Sequence, residues 1–206
     1  MQKQCDITIN QDWNKVRNLY QTLVAKKDTF KKESLSEAGF DHDTVRYCMN
    51  GLGSLMTTNY LGSNNWIMWN GILLENCFLW KKKAREYFNG LDFMGYVWNP
   101  SIGAVSNHQD GMTKEDRANN VKFCKINYLV STEDLNSKTI SYAEDGSTMT
   151  YNSVPGTAWL LDILKPHEVV NGEGKLRELL QFEFRNSFEE VAEHLDKNGP
   201  LVLESE

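Results

Sequence analysis

TAWLLDILKPHEVVNGEGKLRELLQFEF, residues 157–184, holds two strand-like runs, Thr157 to Ile163 and Lys175 to Phe184, with His167 between them and Arg177 inside the second. Pro155-Gly156 marks a turn just before the first run. Working upstream, the same texture continues to residue 93. FMGYVW (93–98) precedes an Asn99-Pro100 turn, and KFCKINYLVS (122–131) follows. TISYA (139–143) and STMTY (147–151) flank Glu144-Asp145-Gly146, a hairpin signal. Short strands at this spacing, punctuated by turn residues, predict a sandwich or barrel. Downstream, Ser187 and Glu190 form a capping box and predict a terminal helix from Phe188 to Leu195.

Before Gly90 the texture is helical. Trp13, Val16, Leu19, Tyr20, Leu23 and Val24 recur at helical spacing over residues 10–27. Residues 70–89 repeat the pattern with Leu73, Cys77, Trp80, Ala84, Tyr87 and Phe88. The 206 residues are thus expected to form a single domain: a helical region (1–90), a β core (91–186) and a C-terminal helix and tail (187–206). No repeat of solenoid length is visible.

Composition removes several classes. At 40% hydrophobic and 24% charged residues, the chain matches a globular domain rather than a disordered one. No apolar run reaches membrane-spanning length, and MQKQCDITIN lacks the apolar block of a signal peptide, so a cytoplasmic protein without a membrane partner is expected. A net charge of −6 argues against a nucleic-acid partner. Cys5, Cys48, Cys77 and Cys124 form no C-x-x-C pair and are expected to be reduced thiols. Oligomeric state is not legible.

Chemistry concentrates in the β half. His108 and Asp110 stand two apart beside strand-like sequence, and residues i and i+2 of an extended chain project to one side. Adding a histidine from a distant strand, His167, gives a 2-His-1-carboxylate set, which suits Fe(II) and leaves coordination positions open. Arg177 follows ten residues after His167; its planar fork matches a carboxylate, which the far end of a 2-oxo-diacid would supply. A surface ion pair with Glu168 or Glu183 is the plainer reading of the same arginine.

These residues, in this order, resemble the Fe(II)/2-oxoglutarate-dependent oxygenases, and within them the aspartyl/asparaginyl β-hydroxylase-like (cupin-like) group. The resemblance is carried by His108-x-Asp110, by W-x-x-D-x-x-x-x-H-x-V-x-N from Trp159 to Asn171, and by Arg177 with Leu180, over residues 93–188. It implies a double-stranded β-helix, or jelly roll, with the N-terminal helices packed on one sheet. It implies Fe(II) held by His108, Asp110 and His167, with 2-oxoglutarate anchored by Arg177. Such enzymes often place a basic residue on the strand after the first histidine; Lys125 is the candidate, with Arg117 behind it, and Asn127 shares the Lys125 face.

The implied reaction is hydroxylation of a C–H bond by dioxygen, coupled to decarboxylation of 2-oxoglutarate. The substrate would be an amino acid, a related small molecule or a peptide side chain. No catalytic acid or base is needed beyond the metal ligands. Two other classes fit the same residues. A metal cupin that does not use 2-oxoglutarate, such as an isomerase or another dioxygenase, would keep the histidines and have no need of Arg177. A non-catalytic jelly-roll binding module would need neither.

Overall fold

Side chains of a strand alternate between its faces, and the long strands of this protein bury both. In β12 (Leu176–Phe184), Leu180, Phe182 and Phe184 enter an apolar cluster, while Arg177, Leu179 and Gln181 line a cavity on the opposite face. β7 (Cys124–Thr132) divides likewise, with Cys124, Ile126 and Tyr128 in the cluster and Lys125 and Asn127 on the cavity. The structure is a computed structural model, described here for residues 1–18, 59–60, 63–64, 80–109 and 122–204.

The described chain is mainly β. β12 and β7 lie inside a five-stranded sheet ordered β1-β10-β7-β12-β5, where β1 is Gln2–Cys5, β5 is Phe93–Ile102 and β10 is Ala158–Leu161. A four-stranded sheet follows the order β6-β11-β8-β9, built from β6 (Val105–His108), β8 (Lys138–Tyr142), β9 (Thr148–Asn152) and β11 (His167–Val170). From β5 to β12 the chain visits large, small, large, small, small, large, small and large sheet in turn. That mirror-symmetric winding of eight strands between two sheets is a jelly roll. Two small ladders complete the set: β2 (Ile7–Asn10) runs parallel to β13 (Leu201–Glu204), and β3 (Asn59–Tyr60) pairs with β4 (Ser63–Asn64).

The outer face of the large sheet holds the apolar core. Trp80, Ala84 and Phe88, on and flanking helix α2 (Lys81–Tyr87), join Tyr96, Trp98, Phe182 and Phe184 there. Val191 and Leu195 of helix α3 (Phe188–Asn198) belong to the same cluster. The rings around Phe88 meet edge-on or tilted, Phe88 lying 5.0 Å from both Phe93 and Phe184. The space between the sheets is different in kind, with Gln2, Asn99, Asn127, Thr139, Ser141, Arg177 and Gln181 all buried. Gln2 bridges the sheets, its Nε2 donating to Ser141 Oγ at 2.7 Å and to the Met149 carbonyl at 3.1 Å.

The hairpin around Glu144-Asp145-Gly146 joins β8 to β9 with Tyr142 opposite Thr148, and the Ser187–Glu190 capping box opens α3. The Asn99-Pro100 turn is not there. Both residues lie within β5, an edge strand where proline's missing N–H breaks no ladder. The terminal strands β1, β2 and β13 carry no turn signal in the sequence; β1 and β2 begin the region expected to be helical and are strands because β10 and β13 pair with them. Residues 13–18 are helical (α1), as is α2; Asn10, expected at the head of the first helix, instead ends β2, residues 88–89 form a turn, and residues 19–27 and 70–79 of the expected helices lie outside the described residues. Among the described residues, no helix is long and apolar enough to cross a membrane.

Cys5 and Cys124 are free and buried in the apolar cluster; Cys48 and Cys77 lie outside the described residues. Burial pushes the Cys5 thiol up to about 12 and raises that of Cys124 as well. A thiol whose folded pKa is raised adds stability below its unfolded pKa, and this is lost as pH rises toward the folded value. Neither thiol is therefore expected to react with an alkylating reagent at pH 8 until the protein unfolds. Mass mapping with and without denaturant checks this; modification of Cys5 in the folded protein would contradict it.

Candidate functional site

The site is built on the β6–β11 pairing. These strands run antiparallel with His167 directly opposite His108, which brings the imidazole centroids to 4.3 Å. Each ring is oriented the same way. His108 Nδ1 lies 2.7 Å from the carbonyl of Ser106, and His167 Nδ1 lies 3.0 Å from that of Lys165. A carbonyl can only accept, so in both rings Nδ1 carries a proton, and in the neutral imidazole Nε2 carries the lone pair. Two residues far apart in sequence thus have matched tautomers and adjacent rings, the arrangement that histidine ligands to a metal take. Asp110 lies outside the described residues, as does Arg117. Among the described residues no three His, Cys, Asp or Glu side chains converge.

The histidines open onto a small cavity that is partly continuous with solvent. Its far wall is the inner face of the large sheet. Arg177 stands there, only 4% exposed, with its Nη1 donating to Thr139 Oγ1 at 3.3 Å. Its Nε is buried without a hydrogen-bond partner among the described residues. Desolvation lowers the guanidinium pKa, yet an arginine keeps its charge at working pH. The alternative reading, a surface ion pair, is ruled out by burial and by where the acids lie. Glu183 pairs with Lys125 at 3.3 Å, and Glu168 accepts from the Tyr142 hydroxyl at 2.6 Å. Arg185, the other arginine of this strand and turn, is exposed and lies over the Phe123 ring.

Lys125 and Asn127 both line the cavity, as alternation from β7 requires. A strand lysine more often points to solvent; this one is turned inward, with a side chain 13% exposed. Asn127 Oδ1 accepts from Gln181 Nε2 at 2.9 Å, and Gln181 Oε1 accepts from Asn99 Nδ2 at 2.9 Å. Asn99, Thr139 and Gln181 were missed in the sequence. Counting by twos from Arg177 along β12 would have found Gln181. Asn99 was hidden by its proline neighbour.

Asp162 and Asn171, the other polar positions of the long motif, shape turns. Asp162 Oδ1 accepts from the Leu164 amide at 3.1 Å, and Asn171 Nδ2 donates to the Lys175 carbonyl at 2.8 Å. Trp159 stacks on Tyr151 at 4.9 Å, and Trp98 belongs to the apolar core.

No protein-family model matches this sequence, and neither does any curated protein. Solved structures do resemble it at low identity. A Pseudomonas putida prolyl-4-hydroxylase is 14% identical, with 72% of this chain and 89% of that one covered and a TM-score of 0.44. A 2OG-Fe(II) oxygenase family oxidoreductase from Burkholderia pseudomallei is 13% identical over 52% of this chain, which spans about half (51%) of that protein, with a TM-score of 0.39. A Bacillus subtilis oxalate decarboxylase is 12% identical over 61% of this chain and 26% of its own, with a TM-score of 0.35. Likenesses this faint bear on neither reaction nor substrate.

Proposed function

We propose that this jelly roll is an Fe(II)- and 2-oxoglutarate-dependent oxygenase that hydroxylates a C–H bond of an amino acid, a related small molecule or a peptide side chain. The observation that carries the reading is Arg177, a buried cation with no carboxylate partner among the described residues, on the wall of a cavity that a tautomer-matched histidine pair also lines. A buried unpaired charge costs several kcal/mol, so the site calls for an anion. The matched histidine pair offers two neutral nitrogen donors of the kind a divalent metal takes.

His108 and His167 would hold the iron through Nε2, each fixed in rotation by its carbonyl partner, with Asp110 as third ligand. Bound there, Fe(II) supplies activation of dioxygen coupled to decarboxylation of the 2-oxo acid. Arg177 would bind the distal carboxylate of 2-oxoglutarate through its fork, with Thr139 steadying Nη1. Leu161, Ile163, Val169 and Leu179 line the same cavity and limit water. Lys125, neutralised by Glu183, would orient ligands without adding net positive charge. The chain itself needs to move no proton.

An anaerobic titration of the apo-protein with Fe(II) and 2-oxoglutarate, followed by visible absorption, tests this. A charge-transfer band from the chelated 2-oxo acid is expected, absent in His167→Ala. Iron binding without the band would favour a metal cupin that does not use 2-oxoglutarate. Binding of neither would favour a non-catalytic module.

A further inference from the structure

The amide row across the large sheet points beyond metal and cosubstrate. Asn99, Gln181 and Asn127 come from the adjacent strands β5, β12 and β7, and all three line the cavity. The row has a direction. Asn99 Nδ2 donates to Gln181 Oε1, and Gln181 Nε2 donates to Asn127 Oδ1, each at 2.9 Å. Its Asn99 end is incomplete: this side chain is fully buried (0% exposed), and Oδ1 has no hydrogen-bond partner among the described residues. A buried carbonyl left unpaired costs about 1–3 kcal/mol. An apolar side chain in its place would avoid that cost, unless the acceptor serves a ligand.

2-Oxoglutarate cannot be that ligand at this end. As a dianion it offers only acceptor oxygens, and an acceptor does not satisfy Asn99 Oδ1. An ammonium fits poorly as well. The cavity lining holds Lys125, Arg177, His108 and His167 and, among the described residues, no carboxylate. We infer that the Asn99–Gln181–Asn127 row is the subsite that reads the substrate, and that it selects a neutral hydrogen-bond donor, an amide N–H or a hydroxyl. The exclusion of the cosubstrate rests on the oxygenase reading above; the missing donor at Asn99 does not.

The test uses matched small probes on the full chain, without iron or 2-oxoglutarate, so its failure is separable from failure of the charge-transfer titration. Acetamide and acetone have nearly the same shape, and only acetamide carries a donor. The side-chain amide resonances of Asn99 and Gln181 are followed by 1H–15N NMR during each titration. Acetamide is expected to shift them saturably, with acetone and methylammonium at least tenfold weaker. In Asn99→Leu the acetamide response of Gln181 should weaken at least tenfold. The probe comparison in the unmodified protein stands even if that variant does not fold. Equal shifts with acetone would mean that the row ends on a donor and runs the other way. Preferential binding of methylammonium would mean the wrong substrate class. No response to any probe would make the row a structural brace. Each of these outcomes overturns the inference.

Discussion

Arg177→Met is expected to make the ligand-free protein more stable while removing its affinity for 2-oxoglutarate. Most buried-residue substitutions destabilise, so the sign is diagnostic. Arg177 is 4% exposed, makes one long hydrogen bond to Thr139 and leaves Nε unpaired among the described residues. Methionine has similar length, is flexible and needs no partner. Relief of an unpaired buried charge is worth on the order of 1–3 kcal/mol, or about 5 °C in Tm for a chain of this size. In the loaded protein the same guanidinium would lie against a carboxylate, and losing one member of a buried charge pair costs about 3–5 kcal/mol, at least 100-fold in affinity. Arg177→Lys keeps the charge and loses the fork, and should fall between. Scanning calorimetry and equilibrium binding of 2-oxoglutarate measure the two effects. A large loss of stability would mean that the guanidinium already has an adequate partner, and unchanged affinity would mean that it is not the anchor.

Removing either histidine should abolish tight iron binding and leave the fold intact. His108→Ala and His167→Ala each remove one of two adjacent rings from a polar, partly open space, away from the apolar cluster. Affinity for Fe(II) is expected to fall by on the order of 100-fold or more, since loss of a group that merely orients a ligand already costs 10–100-fold. Circular dichroism should be unchanged. Acid should mimic the substitutions. Each imidazole must be neutral to bind, so once pH falls below its pKa, affinity drops about tenfold per unit for each ring. Metal analysis after dialysis across this range supplies the number. Retention of iron by both variants would remove imidazole from the ligand set.

The β half was legible because its signals are local. A hairpin turn, a capping box and alternating residues are each set within a few positions, and β8, β9 and α3 follow from them. The histidine pair was legible for another reason: His108-x-Asp110 and the longer motif around His167 stand in the order and spacing of a known family, although H-x-D alone is weak. What stayed hidden depends on pairing. Asn99-Pro100 reads as a turn in isolation and becomes strand only because β5 sits at a sheet edge against β12. Lys125 faces inward because of its place in the alternation of β7, and there it meets Glu183, its cross-strand neighbour on β12. The short strands β1 and β13 are held by β10 and β2, partners that no local pattern names.

The two faces of the large sheet have a consequence for how this protein can change. Its stability is stored on one face, in the rings of Phe88, Phe182 and Phe184, while Arg177, Gln181 and Asn127 occupy the other face of the same or adjacent strands. Because alternation assigns neighbouring residues to opposite sides, a descendant of this sequence can exchange one polar residue for another in the cavity without touching the apolar packing one position away. Folding and selectivity are then nearly independent variables within a single strand. Laboratory evolution toward new substrates should find tolerated substitutions at odd positions of β12 far more often than at even ones.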